Sequence, residues 1–390
     1  MLKKIKQFAK KSKTILNIYE FFFQRPIINY FKKDYQKKVL FSYSTYHFNK
    51  KNYSAHSNYQ ESLVIAKEFD KLSYQVDIYN NHKNYNIDYD SYDVIFGEGI
   101  LMYQAIQNKT IAKTIYYATG SHPWQCTNAS LDRVIDFYDK TKFLAIESTR
   151  LQDYRWGLAA SLCTEVLCIG NENTKKTFLE NNCKYVSLIN PTFHAEKEIE
   201  EIFKLSCANK TILYFASYGL LHKGMDLVIE AMKDFPDWSL HICGYTEREN
   251  DFLDNLTISK NTTVHGFIDI ESDLFKSLSK ECGYVILPSS SEGIATAVIT
   301  AMGRGAMIPI VTKECGVDIK DFGIEIERLT VNAVKKSIKE CENLEKSEFL
   351  ESCKKAQIEA YESYTIESYT NTMRMYLLNI NNESTKNEYQ

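Results

Sequence analysis

Two polar stretches carry the side chains best suited to chemistry: Ser217-Tyr-Gly-Leu-Leu-His-Lys-Gly224, which holds Lys223, and Pro288-Ser-Ser-Ser-Glu-Gly293, which holds Glu292. Each follows a short apolar run, residues 211–216 and 284–287, and each leads into a helical pattern. Loops between strand and helix lie at the carboxyl ends of the strands in an open α/β sheet, where ligands bind. The helix that follows presents unpaired backbone N–H groups to such a ligand. An ammonium beside N–H donors suits phosphate, and a carboxylate at the loop tip accepts hydrogen bonds from hydroxyl groups. Small residues at Gly293, Ala295, Ala297 and Ala301 let a ligand approach the backbone. A polyol joined to a diphosphate satisfies both halves. The expectation is a diphosphate docked where the strand gives way to the Ala-rich helix, near the N–H groups of Ala295 and Thr296, facing Lys223 across an interdomain gap.

The Pro-x-x-x-Glu-Gly loop, its small-residue helix and the earlier Lys223-Gly224 turn resemble the donor-binding core of the retaining GT-B glycosyltransferases of the family-4 group, glycosyl transferases group 1. The resemblance implies an α/β fold of two Rossmann-like, doubly wound domains facing a central cleft. It assigns Lys223, after Ser217, to the donor diphosphate and Glu292 to the donor sugar. Gly293, Ile294, Ala295 and Thr296 open the helix that holds the diphosphate. Two positions depart from the pattern: Thr300 stands where the family has a ribose-binding glutamate, and Tyr218 where it has an arginine. His265-Gly266-Phe267-Ile268 resembles the loop that packs on the nucleotide base, and reads equally as a plain strand end. A family histidine after a first-domain strand faces the donor sugar, and His122 in Thr119-Gly-Ser-His122 fits that context; its other reading is a loop cap. The activity implied is hexose transfer, with retention and without a catalytic metal or other cofactor, from a nucleotide-diphosphate sugar to a hydroxyl of a growing cell-surface glycan: lipopolysaccharide, capsule or a lipid-linked oligosaccharide. A sugar-nucleotide-binding partner subunit without turnover is the alternative, and an epimerase on the same architecture a third.

Bulk properties agree with an ordinary globular protein. The 390 residues are 44% hydrophobic and 25% charged, long enough for two domains with a core each. The net charge of −3 hides a basic start, because residues 1–38 hold 11 Lys/Arg against 2 acidic residues. With the basic charge local, a nucleic-acid surface is not expected. Ten cysteines without a Cys-x-x-Cys pair read as reduced thiols of a cytoplasmic protein. No run of 18 apolar residues is present, so no membrane span is expected, and no signal-peptide pattern opens the chain. Leu2, Ile5, Phe8, Ile15, Tyr19 and Phe22 fall at helical spacing among lysines. A basic amphipathic helix over residues 1–37 either lies on an anionic membrane surface, making the protein peripheral, or packs on the first domain.

The order expected is the 1–37 extension, a first acceptor domain over 38–195, a linker over 196–209 and a donor domain over 210–345. Helices over 346–380 pack back on the first domain, and 381–390 fray. First-domain strands are expected at residues 39–43, 75–79, 93–96, 113–117, 143–146 and 165–169, with a helix over 61–69. Strands at 240–244, 264–267 and 306–311 follow in the second domain. Gly97-Glu-Gly99, Gly170-Asn-Glu-Asn173 and residues 52–56 are polar loop groups, and Glu147 with Arg150 reads as an acceptor-phosphate contact or a surface ion pair. Asp88-Tyr-Asp90 has metal-binding spacing but precedes a strand, and is set aside.

Overall fold

Apolar runs buried on both faces become parallel strands, which is why they read as continuous rather than alternating. The computed structural model describes residues 25–49, 57–195, 199, 203–244 and 249–387. The sequence readings for residues 2–22, for 52–56 and for 196–198 and 200–202 of the linker lie outside them.

The first domain is a six-stranded parallel sheet of β1 (Lys37–Tyr43), β2 (Tyr74–Asn80), β3 (Val94–Gly97), β4 (Lys113–Ala118), β5 (Glu165–Ile169) and β6 (Val186–Ile189), in the order β2-β1-β3-β4-β5-β6. Its helices are α1 (Asn58–Lys71), α2 (Ile100–Gln107), α3 (Pro123–Thr141), α4 (Tyr154–Leu162) and α5 (Glu172–Leu179). The second domain holds β7 (Thr211–Phe215), β8 (Ser239–Cys243), β9 (Thr262–Gly266), β10 (Tyr284–Leu287), β11 (Ile308–Val311) and β12 (Ile324–Glu325). Their order, β12-β11-β10-β7-β8-β9, is the doubly wound dinucleotide-fold order, with its reversal between β7 and β10. Around this sheet run α6 (Met225–Met232), α7 (Asp273–Glu281), α8 (Thr296–Gly305) and α9 (Val331–Glu342). Side chains start several helices: Ser272 accepts from the Phe275 N–H at α7, and Thr330 from the Ala333 N–H at α9.

Several expectations are corrected. Residues 143–146 are not a strand, because β4 pairs directly with β5; Leu144 and Ile146 are exposed, and a single turn runs over Ile146–Ser148. β6 and β12, absent from the sequence reading, are added at the sheet edges. The closing helices divide their loyalties. α10 (Lys346–Ser363) packs on α8 and β11 in the second domain. α11 (Ile366–Asn387) returns to α1 and β6, where the Tyr369 and Tyr117 hydroxyls meet at 2.8 Å, and it stays helical past residue 381. The described end of the extension lies on the first domain, since Ile27 bridges Ile78 of β2 and the Tyr30 N–H donates to the Val76 carbonyl.

The domains meet through buried polar contacts. Arg133 of α3 grips both carboxylate oxygens of Asp226 of α6 at 2.7 and 2.6 Å. The Ser148 carbonyl accepts from the N–H groups of Leu221 (3.1 Å) and His222 (3.2 Å).

Candidate active site

Where the order of the second sheet reverses, the loops after β7 and β10 leave side by side. Lys223, before α6, and Glu292, before α8, meet there with Nζ 2.6 Å from Oε1. Gly224 allows the approach: its φ is +68°, and a Cβ would stand 2.4 Å from the Pro288 carbonyl oxygen. The Ser289 hydroxyl also donates to Glu292 Oε1, at 3.0 Å. Burial pushes the Glu292 carboxyl up, but the attraction of Lys223 and Arg150 outweighs it and holds the group at about 2. Glu292 is therefore ionised at neutral pH and only accepts hydrogen bonds.

His222 locks the same loop to the first domain. Its Nε2 stands 2.7 Å from the Ser291 carbonyl, which only accepts, so Nε2 carries the proton. Nδ1 then accepts from the Ser130 hydroxyl of α3 at 2.8 Å. Burial lowers the imidazole to about 4, keeping it neutral.

These loops open on a cleft of about 610 Å³ between the domains. Lys223, Glu292 and the start of α8 form one wall, and Tyr43, Glu61 and Thr119 of the first domain the other. At α8 the N-cap is Ala295, which has no side chain to satisfy the helix start. Its own N–H donates to the Cys315 carbonyl at 3.1 Å, so the donors left for a ligand are those of Thr296 and Ala297, which take no partner among the described residues. A second, smaller cavity of about 80 Å³ adjoins the first at Glu292 and is lined by Glu98, Arg150, Gln152 and Trp156. Burial raises Glu98 to about 8, and raises Glu61 to about 7 against the donors of Thr192.

Residues 197–360 match the family described as Glycosyl transferases group 1. That match spans the second domain and most of α10. No curated protein matches the sequence. Among solved structures, a sucrose-phosphate synthase from Thermosynechococcus elongatus superposes with a TM-score of 0.60 at 12% identity, covering 88% of this chain and 99% of that one. Anabaena HepE in complex with UDP and glucose gives 0.55 at 12% identity, covering 88% and 100%. A glycosyltransferase from Rickettsia africae ESF-5 gives 0.51 at 14%, covering 90% and 100%. At these identities the likeness is one of fold, and the fold is GT-B.

Of the residues singled out in the sequence, Ser217, Lys223, Phe267, Ile268, Glu292, Ile294, Ala295, Thr296 and Thr300 line the cleft of this GT-B fold. Three do not. His122 is fully buried, with Nε2 3.1 Å from the Ser161 hydroxyl and Nδ1 accepting from the Trp124 N–H, so it caps α3 instead of facing a sugar. Gly266 ends β9 at φ +72°, its carbonyl accepting from the Gly244 N–H at 2.8 Å. Gly293 is small for the first domain's sake: a Cβ there would lie 2.4 Å from the Ile169 carbonyl oxygen. The Thr300 hydroxyl donates within its helix to the Thr296 carbonyl at 2.8 Å. Nor does Lys223 face α8 across an interdomain gap, since both follow strands of the second-domain sheet. The cation across the gap is Arg150, while Glu147 is exposed and apart from it. Asp90 serves the fold by accepting from the Thr110 hydroxyl and the Ile111 N–H, both at 2.9 Å.

Proposed function

We propose that the chain transfers a hexose-type sugar from a nucleotide-diphosphate sugar to a hydroxyl of a growing cell-surface glycan, with retention of configuration. The contact of Lys223 with Glu292, beside the open N–H groups of α8, is the observation that carries the reading. In this reaction the bond from the anomeric carbon to the diphosphate oxygen breaks, and the electron pair stays on that oxygen. The acceptor oxygen bonds the anomeric carbon from the same face, and its proton leaves with the departing diphosphate. Charge on the leaving oxygen grows toward the transition state, so a fixed ammonium and aimed N–H donors lower the barrier. One such donor is worth about 10²–10³ in rate, whereas the helix dipole adds only about 0.3–1 kcal/mol. Glu292, ionised, orients the sugar through its hydroxyl groups and does not supply a proton. UDP and glucose in the HepE structure support a donor of this class.

The acceptor meets the sugar from the first-domain wall. Among the described residues no helix is long and apolar enough to cross a membrane, and the reading places the protein on the cytoplasmic side, peripheral if residues 1–37 bind anionic lipid.

The test is turnover of a panel of UDP- and GDP-sugars by the full chain and by Lys223→Ala and Glu292→Ala. Each variant is expected to lose at least about 10²-fold in turnover while remaining folded at the assay temperature, with a lowered melting temperature because its former partner is left buried and unpaired. Near-wild-type turnover in either removes the reading. The substitutions at Tyr218 and Thr300 favour one rival, a partner subunit that binds the donor without turning it over; UDP or GDP binding by a wild-type chain that forms no product would establish it.

A further inference from the structure

The Lys223–Glu292 pair leaves a second cation unexplained. Arg150, from the first domain, comes within 3.8 Å of the other Glu292 oxygen, Oε2, and lines both the main cleft and the smaller cavity. Its placement is built rather than incidental. The Ser130 hydroxyl accepts from the Arg150 N–H at 3.2 Å, and the Cys126 thiol approaches its carbonyl at 3.3 Å. Two residues earlier, the Ser148 carbonyl ties this loop to Leu221 and His222 of the Lys223 loop. The second domain shapes itself around the side chain. Gly219, at φ +84°, would put a Cβ 2.8 Å from Arg150 Cγ, and the Tyr218 ring lies under the guanidinium at 4.9 Å. At 3.8 Å the guanidinium is beyond hydrogen-bond reach of Glu292, so the carboxylate attracts it without locking its planar fork.

We propose that Arg150 is a further catalytic residue, which grips the diphosphate of the donor from the first domain and, with Lys223 of the second, neutralises charge on the leaving oxygen. The proposal rests on the transfer reading above and adds to it the source of the second cation. A guanidinium presents paired donors that match two phosphate oxygens, which a single ammonium cannot do. Tyr218 belongs to the loop that holds Lys223, so a side chain at position 218 reaches the same space from the opposite side. Because the two cations come from different domains, the leaving group is fully held only while the domains are docked.

The experiment compares the full-length wild type with Arg150→Gln and with the double variant Arg150→Gln/Tyr218→Arg. Titration with UDP, UMP, GDP and GMP by calorimetry is paired with turnover of whichever UDP- or GDP-sugar the wild type uses. Arg150→Gln is expected to lose about 10²–10³-fold in kcat and about tenfold in affinity for the diphosphate, with monophosphate affinity unchanged. Moving the arginine to position 218 is expected to recover at least tenfold in kcat. If Arg150→Gln does not fold, Arg150→Lys, which keeps the charge but not the fork, is expected to show the same kcat loss in smaller measure. A kcat within twofold of wild type, when Lys223→Ala is inactive, overturns the proposal and leaves the transfer reading standing. Equal losses for UDP and UMP without recovery in the double variant also overturn it, reducing Arg150 to a residue that holds the domains together. Near-wild-type turnover in Lys223→Ala would take down the transfer reading, and this proposal with it.

Discussion

A Cβ on Gly293 would meet three first-domain backbone atoms, the Ile169 oxygen at 2.4 Å, the Gly120 Cα at 3.2 Å and the Thr119 oxygen at 3.2 Å. Backbone has no rotamer with which to give way, so Gly293→Ala must part the Glu292 loop from the first sheet. Overpacking of this kind costs about 1–3 kcal/mol. The expected result is a lower melting temperature and at least a tenfold loss of transfer, because the walls of the cleft no longer face each other in register. Gly120→Ala is the control, with nothing within 4 Å of its added Cβ and no steric effect expected. Wild-type turnover in Gly293→Ala would show that the close approach is not needed. At this scale the sequence shows chemistry better than proximity. Lys223 and Glu292 are legible because each follows a buried strand, and loops after such strands have a known place. Arg150 is not, since what makes it a site residue is Tyr218 and Gly219 in the other domain. His122 misleads for the same reason: its loop is polar in sequence, yet Ser161 and Phe178 enclose it.

Among the elements, α7 and α8 end at one point, the ammonium of Lys204. Its Nζ donates to the carbonyls of Ser279 (2.8 Å), Cys282 (2.6 Å) and Gly305 (2.6 Å). Carbonyls at helix ends lack partners within the helix and carry the negative end of its dipole, so a buried cation satisfies them and is satisfied in turn. Lys204→Met keeps the apolar stem and removes all three bonds. Stranded buried acceptors and lost charge-assisted bonds make a cost of about 3 kcal/mol a fair expectation, read by urea denaturation of the full chain. A change below about 0.5 kcal/mol would mean that water replaces the ammonium there. Position 204 falls in the stretch that reads as linker, and only the fold reveals that it fastens the helix bearing the ligand-facing N–H groups. Strands were easier: β10 is fully buried and apolar, whereas β6 is half-buried at an edge and β12 spans two residues, so neither leaves a pattern. The apolar run at 143–146 shows the converse, since hydrophobicity without a place in the sheet makes no strand.

Across the whole molecule, buried titratable groups set how stability changes with pH. Glu61 and Glu98, on the first-domain side of the cavities, are raised by burial to about 7 and about 8. A carboxyl raised in the native state binds its proton more tightly there than in the unfolded chain. The stability it contributes is therefore full below the unfolded value, near 4.3, and is lost as pH climbs through the native one. His122 and His222, lowered by burial to about 4, act with the opposite sign: the unfolded chain takes up their protons first, so stability rises with pH between about 4 and 6.5. The two effects oppose each other from roughly 4.5 to 6.5; above that the carboxyls lead, joined toward pH 8 by cysteine thiols that burial pushes up and that the unfolded chain ionises first. Stability is expected to be nearly level between about pH 4.5 and 6.5 and then to fall by at least about 2 kcal/mol by pH 8. Glu61→Gln keeps the oxygen that accepts from the Thr192 N–H at 2.7 Å but cannot ionise, and Glu98→Gln keeps the acceptor for Asn81. The double variant is therefore expected to lose much less melting temperature than the wild type between pH 6.5 and 8, the remainder coming from the buried thiols. A fall in the double variant as large as in the wild type would place its origin elsewhere. With most of the fall assigned to these two residues, the part of the protein least tolerant of deprotonation is the first-domain wall, where a donor's sugar and its acceptor would meet.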